Sequence, residues 1–149
     1  EANNISSAYL VRDKFSNSYV LESDLYLYNQ DLIRKYEYHS NFLGFKVDRT
    51  DDWCLETKNG IITKEKVGGL DCYQMCGISY YDKETGKQME KDIKEVFMSP
   101  GGKERYWEQV MLDIRKNNYK IYLRECKKED IIEIDTFNEL KAIDKTYDV

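Results

Sequence analysis

At 149 residues the chain has room for one domain with a real core and is short for two. With 41% hydrophobic residues, 13 Tyr, one Pro and no low-complexity run, its composition is that of an ordered globular protein rather than a disordered one. The net charge of −5, with Lys and Glu interspersed and no basic stripe, argues against a nucleic-acid binder; no apolar stretch approaches membrane-spanning length, and no secretory signal opens the chain.

The four Cys, at positions 54, 72, 76 and 126, lack the density of a disulfide framework, so a reduced, cytoplasmic protein is expected. The opening Glu1-Ala2-Asn3-Asn4, without an initiator Met, reads as a chain that lost a leader or as a fragment of a longer one.

In chain order, Asn3 or Asn4 caps a helix over 5–15, with Ile5, Ala8, Tyr9 and Arg12 at helical spacing. A strand over Tyr19–Ser23 follows, then a short polar, Tyr-rich helix over 30–38 and a strand over Phe42–Val47. Trp53–Thr57 and Ile61–Lys66 flank Asn59-Gly60, a strong hairpin signal. "VGGL" reads as a loop and Cys72–Tyr81 as a strand. A helix over Asp82–Phe97 has Gly86 inside it, which counts against it.

Lys103–Lys116 predicts a helix with Trp107, Val110, Met111 and Ile114 on its apolar stripe. Lys120–Glu125 is a strand, and "IIEIDTFNELKAI" is a short strand, an Asp and a helix capped by Asp135 or Thr136. The expected class is α/β, a mixed sheet with flanking helices, with the Trp53–Lys66 hairpin as an insertion.

Two strands deliver acids at their carboxyl ends: Val20–Asp24, with Glu22 and Asp24 spaced i, i+2, and Ile131–Asp135. In open α/β sheets ligands bind outside the carboxyl ends of strands. Acids meeting there repel unless a divalent cation sits between them, and all-oxygen ligation suits Mg²⁺. Each acid also has a plain reading: Asp135 as a helix cap, Glu22 and Asp24 as a solvated strand end. His39, in a polar segment, reads as a surface residue. Cys72 and Cys76, about 13 Å apart along a strand, lie beyond disulfide reach and have no zinc-pair spacing.

The segments "NNISSAYLVRD", "NSYVLESDLYL", "DDWCLE", "GISYYDKE", "RYWEQVM" and "IIEIDTFNELKAIDKTY" resemble, in this order, the C-terminal two-thirds of bacterial CTP:phosphocholine cytidylyltransferases, members of the nucleotidyltransferase superfamily. The resemblance runs from Asn3 to Tyr147. It implies that Asp24 and Asp135 hold a catalytic Mg²⁺, with Glu22 a same-face neighbour or a supporting group behind the ligands. The substrates it implies are CTP and a small phosphorylated amino-alcohol, phosphocholine first and 2-aminoethylphosphonate as the alternative. A trimethylammonium group cannot donate hydrogen bonds and is held by ring faces and carboxylates; resemblance and chemistry together point to Trp53, Tyr106, Trp107 and Glu108. Trp107 also lies on the apolar stripe, where core packing reads equally well, and Tyr80 and Tyr81 have weaker claims.

The family's Gly-rich triphosphate loop, L-x-x-G-x-G-x-R-x-x-P followed by P-K, has no counterpart: Gly68-Gly69 and Gly101-Gly102 lack its spacing. The expectation is therefore part of a Rossmann-like nucleotidyltransferase domain without its N-terminal nucleotide-binding strands, the sheet edge so exposed favouring a homodimer. A non-catalytic binding module on the same scaffold is the reading outside the enzyme class. These 149 residues alone are expected to release no pyrophosphate from CTP; robust Mg²⁺-dependent release in a pyrophosphate assay on the purified chain refutes this.

Overall fold

The Asn59-Gly60 turn organises the largest element of the molecule. Both residues have positive φ, 53° and 75°, the requirement of a hairpin turn whose twist matches its strands. The computed structural model describes residues 2–147. In chain order these form α1 (Ile5–Leu10), β1 (Ser18–Leu21), β2 (Leu25–Leu27), β3 (Asn41–Lys58), β4 (Ile61–Tyr81), α2 (Lys83–Met98), a helical turn at Val110–Ile114, β5 (Tyr122–Glu125), β6 (Ile131–Glu133) and α3 (Phe137–Ile143).

The main sheet has the order β1-β4-β3-β5, with β5 parallel to β3 and the other pairs antiparallel, while β2 and β6 form a two-stranded antiparallel sheet. The mixed α/β class is the one expected. The hairpin is not an insertion, however, and "VGGL" is not a loop. β3 and β4 run unbroken through both, and the loop-like composition is absorbed as an irregularity: Thr50 pairs with Gly69 and Trp53 with Val67, so Asp51 and Asp52 bulge opposite Gly68. Beyond the bulge the hairpin folds over its own base. Cys54 and Leu55 pair with Lys66 and Glu65 on one side and with Gln74 and Tyr73 on the other. Tyr122 of β5 pairs with both Asn41 and Ile61.

Side chains alternating along β3 feed two cores. Phe42 joins Ile5, Phe15, Tyr81, Met89, Ile93 and Val110 beneath α1 and α2, whereas Leu43 joins Leu32, Cys76, Ile78 and Cys126 on the other face. Among the described residues no helix is long and apolar enough to cross a membrane.

Three helices expected from the sequence shrink. The 5–15 helix ends at Leu10 and continues as a 3₁₀ turn at Arg12–Lys14. Over 30–38 only Gln30–Leu32 turns helically; Tyr36 and Tyr38 are exposed, so no apolar face drives a helix there. That stretch is tied down by Arg124 instead, which ion-pairs with Glu37 and donates to the Leu32 carbonyl, while the Tyr19 hydroxyl donates to Glu37. The 103–116 helix is interrupted: Arg105 is extended (φ −82°, ψ 153°), and only the turn Val110–Ile114 follows, closed by Arg115 N–H donating to the Val110 carbonyl at 2.8 Å. Val110, Met111 and Leu112 are buried and Ile114 is not, so the expected stripe is only partly right. The strand expected over Lys120–Glu125 begins at Tyr122.

The helix that Gly86 counted against is intact. Asp82 caps it, its Oδ1 accepting from Thr85 N–H at 2.8 Å, and Met89, Ile93 and Val96 face the core. Gly86 serves packing: a Cβ there would lie 2.4 Å from the Ser16 backbone. In an exposed helix Gly→Ala stabilises by about 1 kcal/mol; here Gly86→Ala should destabilise by about 1–3 kcal/mol through overpacking. Urea denaturation measures it, and an unchanged or raised midpoint contradicts the contact.

Candidate active site

β1 ends at Leu21, and Glu22 follows with its N–H donating to the Gly77 carbonyl at 3.0 Å. Gly77 has φ 63°, and a side chain there would collide with the Glu22 carboxylate, a Cβ lying 2.2 Å from Oε2. Asp24 precedes β2. The register of β2 on β6, Leu25 opposite Glu133, places it beside the end of β6, and the Asp24 carbonyl accepts from Ile134 N–H at 2.9 Å. The outcome is a cluster: carboxylate oxygens of Glu22, Asp24 and Glu133 lie within 4.8 Å of one another.

Asp135 adjoins this group and contributes to its field. Partial burial, then Asp135, Glu22, Asp24 and Asp52, push Glu133 up to about 6. Glu22 is raised by burial first and then by Glu108, Asp24, Asp52 and Asp135. The cap of α3 is made by Thr136, with Glu139 closing the reciprocal bond, so the Asp135 carboxylate is not engaged as a cap. Of the expected pair, Asp24 belongs to the cluster; Asp135 follows Ile134, which bonds the Asp24 carbonyl, but its carboxylate lies outside the group, and Glu22 and Glu133 stand there with Asp24 instead. Glu133-x-Asp135 repeats the i, i+2 spacing of Glu22-x-Asp24, a signal that could have found it.

Two acids of the cluster, Glu22 and Glu133, line a cavity of about 440 Å³. Its apolar wall includes Leu25, Phe45, Met75 and Ile131, and Lys128 is the one basic side chain among the described residues that line it. Trp53, Tyr106, Glu108 and Asp52 also line it. The Trp53 and Tyr106 rings meet edge to face, centroids 5.5 Å apart at 65°. Glu108 is buried, with Oε2 lacking a hydrogen-bond partner among the described residues. Burial raises its pKa against the bond from Asn4 that lowers it.

Trp107 is not part of this wall. It packs in the core against Phe15 and Tyr81, centroids 5.6 and 6.1 Å away, while its N–H donates to Asn4 Oδ1 at 2.9 Å. The interruption of the expected helix explains it: successive residues alternate, Tyr106 and Glu108 facing the cavity and Trp107 the core. Tyr81 is likewise fully buried. Asp52, with Oδ2 accepting from Gln74 Nε2 at 3.1 Å, belongs to the site and was overlooked beside Trp53. His39 is on the surface, stacked on Tyr122.

No protein-family model matches the sequence. Curated relatives include the choline-phosphate cytidylyltransferase of Streptococcus pneumoniae, 26% identical over 148 residues, covering 96% of this chain and 62% of that protein. The 2-aminoethylphosphonate cytidylyltransferase of Lancefieldella rimae is 26% identical over 155 residues, covering 99% and 61%. The solved CTP:phosphocholine cytidylyltransferase of Streptococcus pneumoniae superposes with a TM-score of 0.83 at 24% identity, over 97% of this chain and 64% of that one. The chain is similar to these cytidylyltransferases in sequence and shares its fold with the solved one. It spans about three-fifths of the length of the curated relatives it matches.

A second buried acid lies within the electrostatic reach of Glu108. Glu65 stands opposite Leu55, is nine-tenths buried, and neither of its carboxylate oxygens has a partner among the described residues. Burial first, then Glu108 and Asp113, push it up to about 8. The folded state keeps this proton up to about pH 8 and the unfolded chain loses it near 4.5. Between those values the native state binds more protons, so stability falls as pH rises. The loss should be on the order of a few kcal/mol across the window, and Glu65→Gln should remove most of it. Denaturant melts at pH 5, 7 and 8.5 on both proteins measure this; equal slopes against pH for the two refute it.

Proposed function

We propose that this chain supplies the acceptor-binding and metal-binding side of an enzyme that transfers CMP from CTP to a small phosphorylated amino-alcohol, phosphocholine in the first instance. One observation carries the reading. The Trp53–Tyr106 corner and the free oxygen of buried Glu108 share one cavity with Glu22 and Glu133, whose carboxylates meet that of Asp24 beside it. A quaternary ammonium takes ring faces and a carboxylate and has no use for fixed hydrogen-bond acceptors.

The acid cluster fits a divalent cation by its donor set, which is entirely carboxylate oxygen and close enough to converge. Glu22, Asp24, Glu133 and the neighbouring Asp135 would hold it, and Mg²⁺ there supplies charge neutralisation for the transferring phosphoryl group. In the reaction an oxygen of the acceptor phosphate attacks the α-phosphorus of CTP and pyrophosphate leaves. The residues of this chain position rather than react: the aromatic corner fixes the head group, Glu108 holds its charge, and the apolar wall keeps water from the acceptor. No side-chain nucleophile is required.

Transfer to 2-aminoethylphosphonate is the second reading, supported by the equally similar Lancefieldella rimae relative. Its primary amine needs several acceptors, which Glu108, Asp52 and Gln74 offer. In a protein joining this chain to a Gly-rich nucleotide loop, Asp24→Ala should lower kcat by roughly 10²-fold or more. Trp53→Ala should lower kcat/KM for phosphocholine roughly tenfold and for primary amines less. Better turnover of 2-aminoethylphosphonate, or a silent Trp53→Ala, replaces the first reading with the second.

A further inference from the structure

Two thiols lie in contact behind the cavity wall. Cys76 is in β4 and Cys126 directly follows β5; between those strands runs β3, whose Gly44 pairs with Met75 on one side and Glu125 on the other. The Cys126 N–H donates to the Gly44 carbonyl at 3.1 Å, and the Cys76 and Cys126 sulfurs, both buried, are 3.3 Å apart. Cys76 also forms part of the cavity wall, which gives a small molecule a way in. Cys54 and Cys72 make a second buried pair, in hydrogen-bond contact, that does not reach this wall.

We propose that Cys76 and Cys126 are a redox-active dithiol that a peroxide converts to a disulfide, and that this disulfide displaces Glu22. With Cys76 as the donor in the bond between the two sulfurs, the Cys126 thiol is pulled down while Cys76 is pushed up, which favours a thiolate at Cys126. That thiolate attacks one peroxide oxygen, the O–O bond breaks, and Cys126 sulfenic acid and a water form, the proton coming from solvent. The Cys76 sulfur then attacks the sulfenic sulfur; the S–S bond forms and the departing hydroxide leaves as water with the Cys76 proton. In sum, two thiols are oxidised by two electrons and one peroxide is reduced to two waters.

Forming the bond, about 2.05 Å long, draws the sulfurs together by more than an ångström. The pull falls next to Gly77, whose carbonyl holds the Glu22 N–H and whose Cα is covered by the Glu22 carboxylate. With no slack at that contact, a shift of β4 there carries Glu22 away from Asp24 and Glu133. This consequence rests on the metal-site reading of the acid cluster; the disulfide itself does not.

The experiment treats the native 149-residue chain with hydrogen peroxide, alkylates it after denaturation, and maps it by mass spectrometry without reduction. The expected product has lost two hydrogens, carries a cross-linked peptide joining Cys76 to Cys126, leaves Cys54 and Cys72 alkylated, and reverts with dithiothreitol. Cys76 and Cys126 both still alkylated, or a cross-link between any other pair, overturns the dithiol. Mn²⁺ titration of reduced and oxidised protein reads the second half: several-fold weaker binding is expected after oxidation. Equal affinity overturns the displacement of Glu22 while the peptide map stands independently of it.

Discussion

Three backbone pairs join β2 to β6, Leu25 to Glu133, Tyr26 to Ile132 and Leu27 to Ile131, and the character of the site follows from that register. It sets Asp24 against the end of β6, and the bond from Ile134 to the Asp24 carbonyl holds it there. Glu22 reaches the same point from the main sheet through Gly77. Like charges are thus brought together by main-chain bonds that are indifferent to charge. Burial first, and then this repulsion, raises the Glu133 and Glu22 carboxyls, and a cation would relieve the repulsion. A one-residue slip would move the acids to the opposite face and disperse them.

The aromatic end of the cavity is built by the opposite device, an absence of regular structure. Had 103–116 been helical, Tyr106 and Glu108 would stand about 200° apart around its axis and could not face one cavity. The extended residue Arg105 lets them alternate with Trp107 instead, and Trp107 anchors the stretch in the core through Phe15 and Tyr81. The same residue that was a candidate ligand contact is what anchors the two that line the cavity.

Much of this was legible in the residues and some was not. The Asn-Gly turn, the α2 helix and the placing of Glu22 and Asp24 at a strand end follow from local signals that tertiary structure did not override. The 30–38 stretch misled because it has helical composition without an apolar face, and an ion pair from Arg124, 87 residues from Glu37, holds it. "VGGL" misled because a bulge opposite Gly68 absorbed a loop-like composition into one long strand. The Cys76–Cys126 contact could not be read at all, since it depends on strands brought together across the sheet, whereas Asp52 was legible as the neighbour of Trp53. Glu133 was legible through the i, i+2 spacing of Glu133-x-Asp135, which repeats that of Glu22-x-Asp24.

The distribution of charge around the cavity narrows what can occupy it. Acids stand at both ends, the Glu22, Asp24 and Glu133 cluster at the rim and Glu108 with Asp52 at the aromatic corner, while Lys128 is the one base on the wall among the described residues. A dianionic ligand would meet repulsion at either end, and a simple cation would leave the apolar wall between them unused. A zwitterion with its cationic head in the corner and its phosphate toward the rim satisfies the corner and the wall at once. Its phosphate would then lie against the carboxylates, an arrangement that becomes favourable only when positive charge is interposed. On the proposed reading, cation binding at the rim and acceptor binding in the cavity would be coupled by electrostatics alone, each lowering the cost of the other, with no conformational change needed to link them.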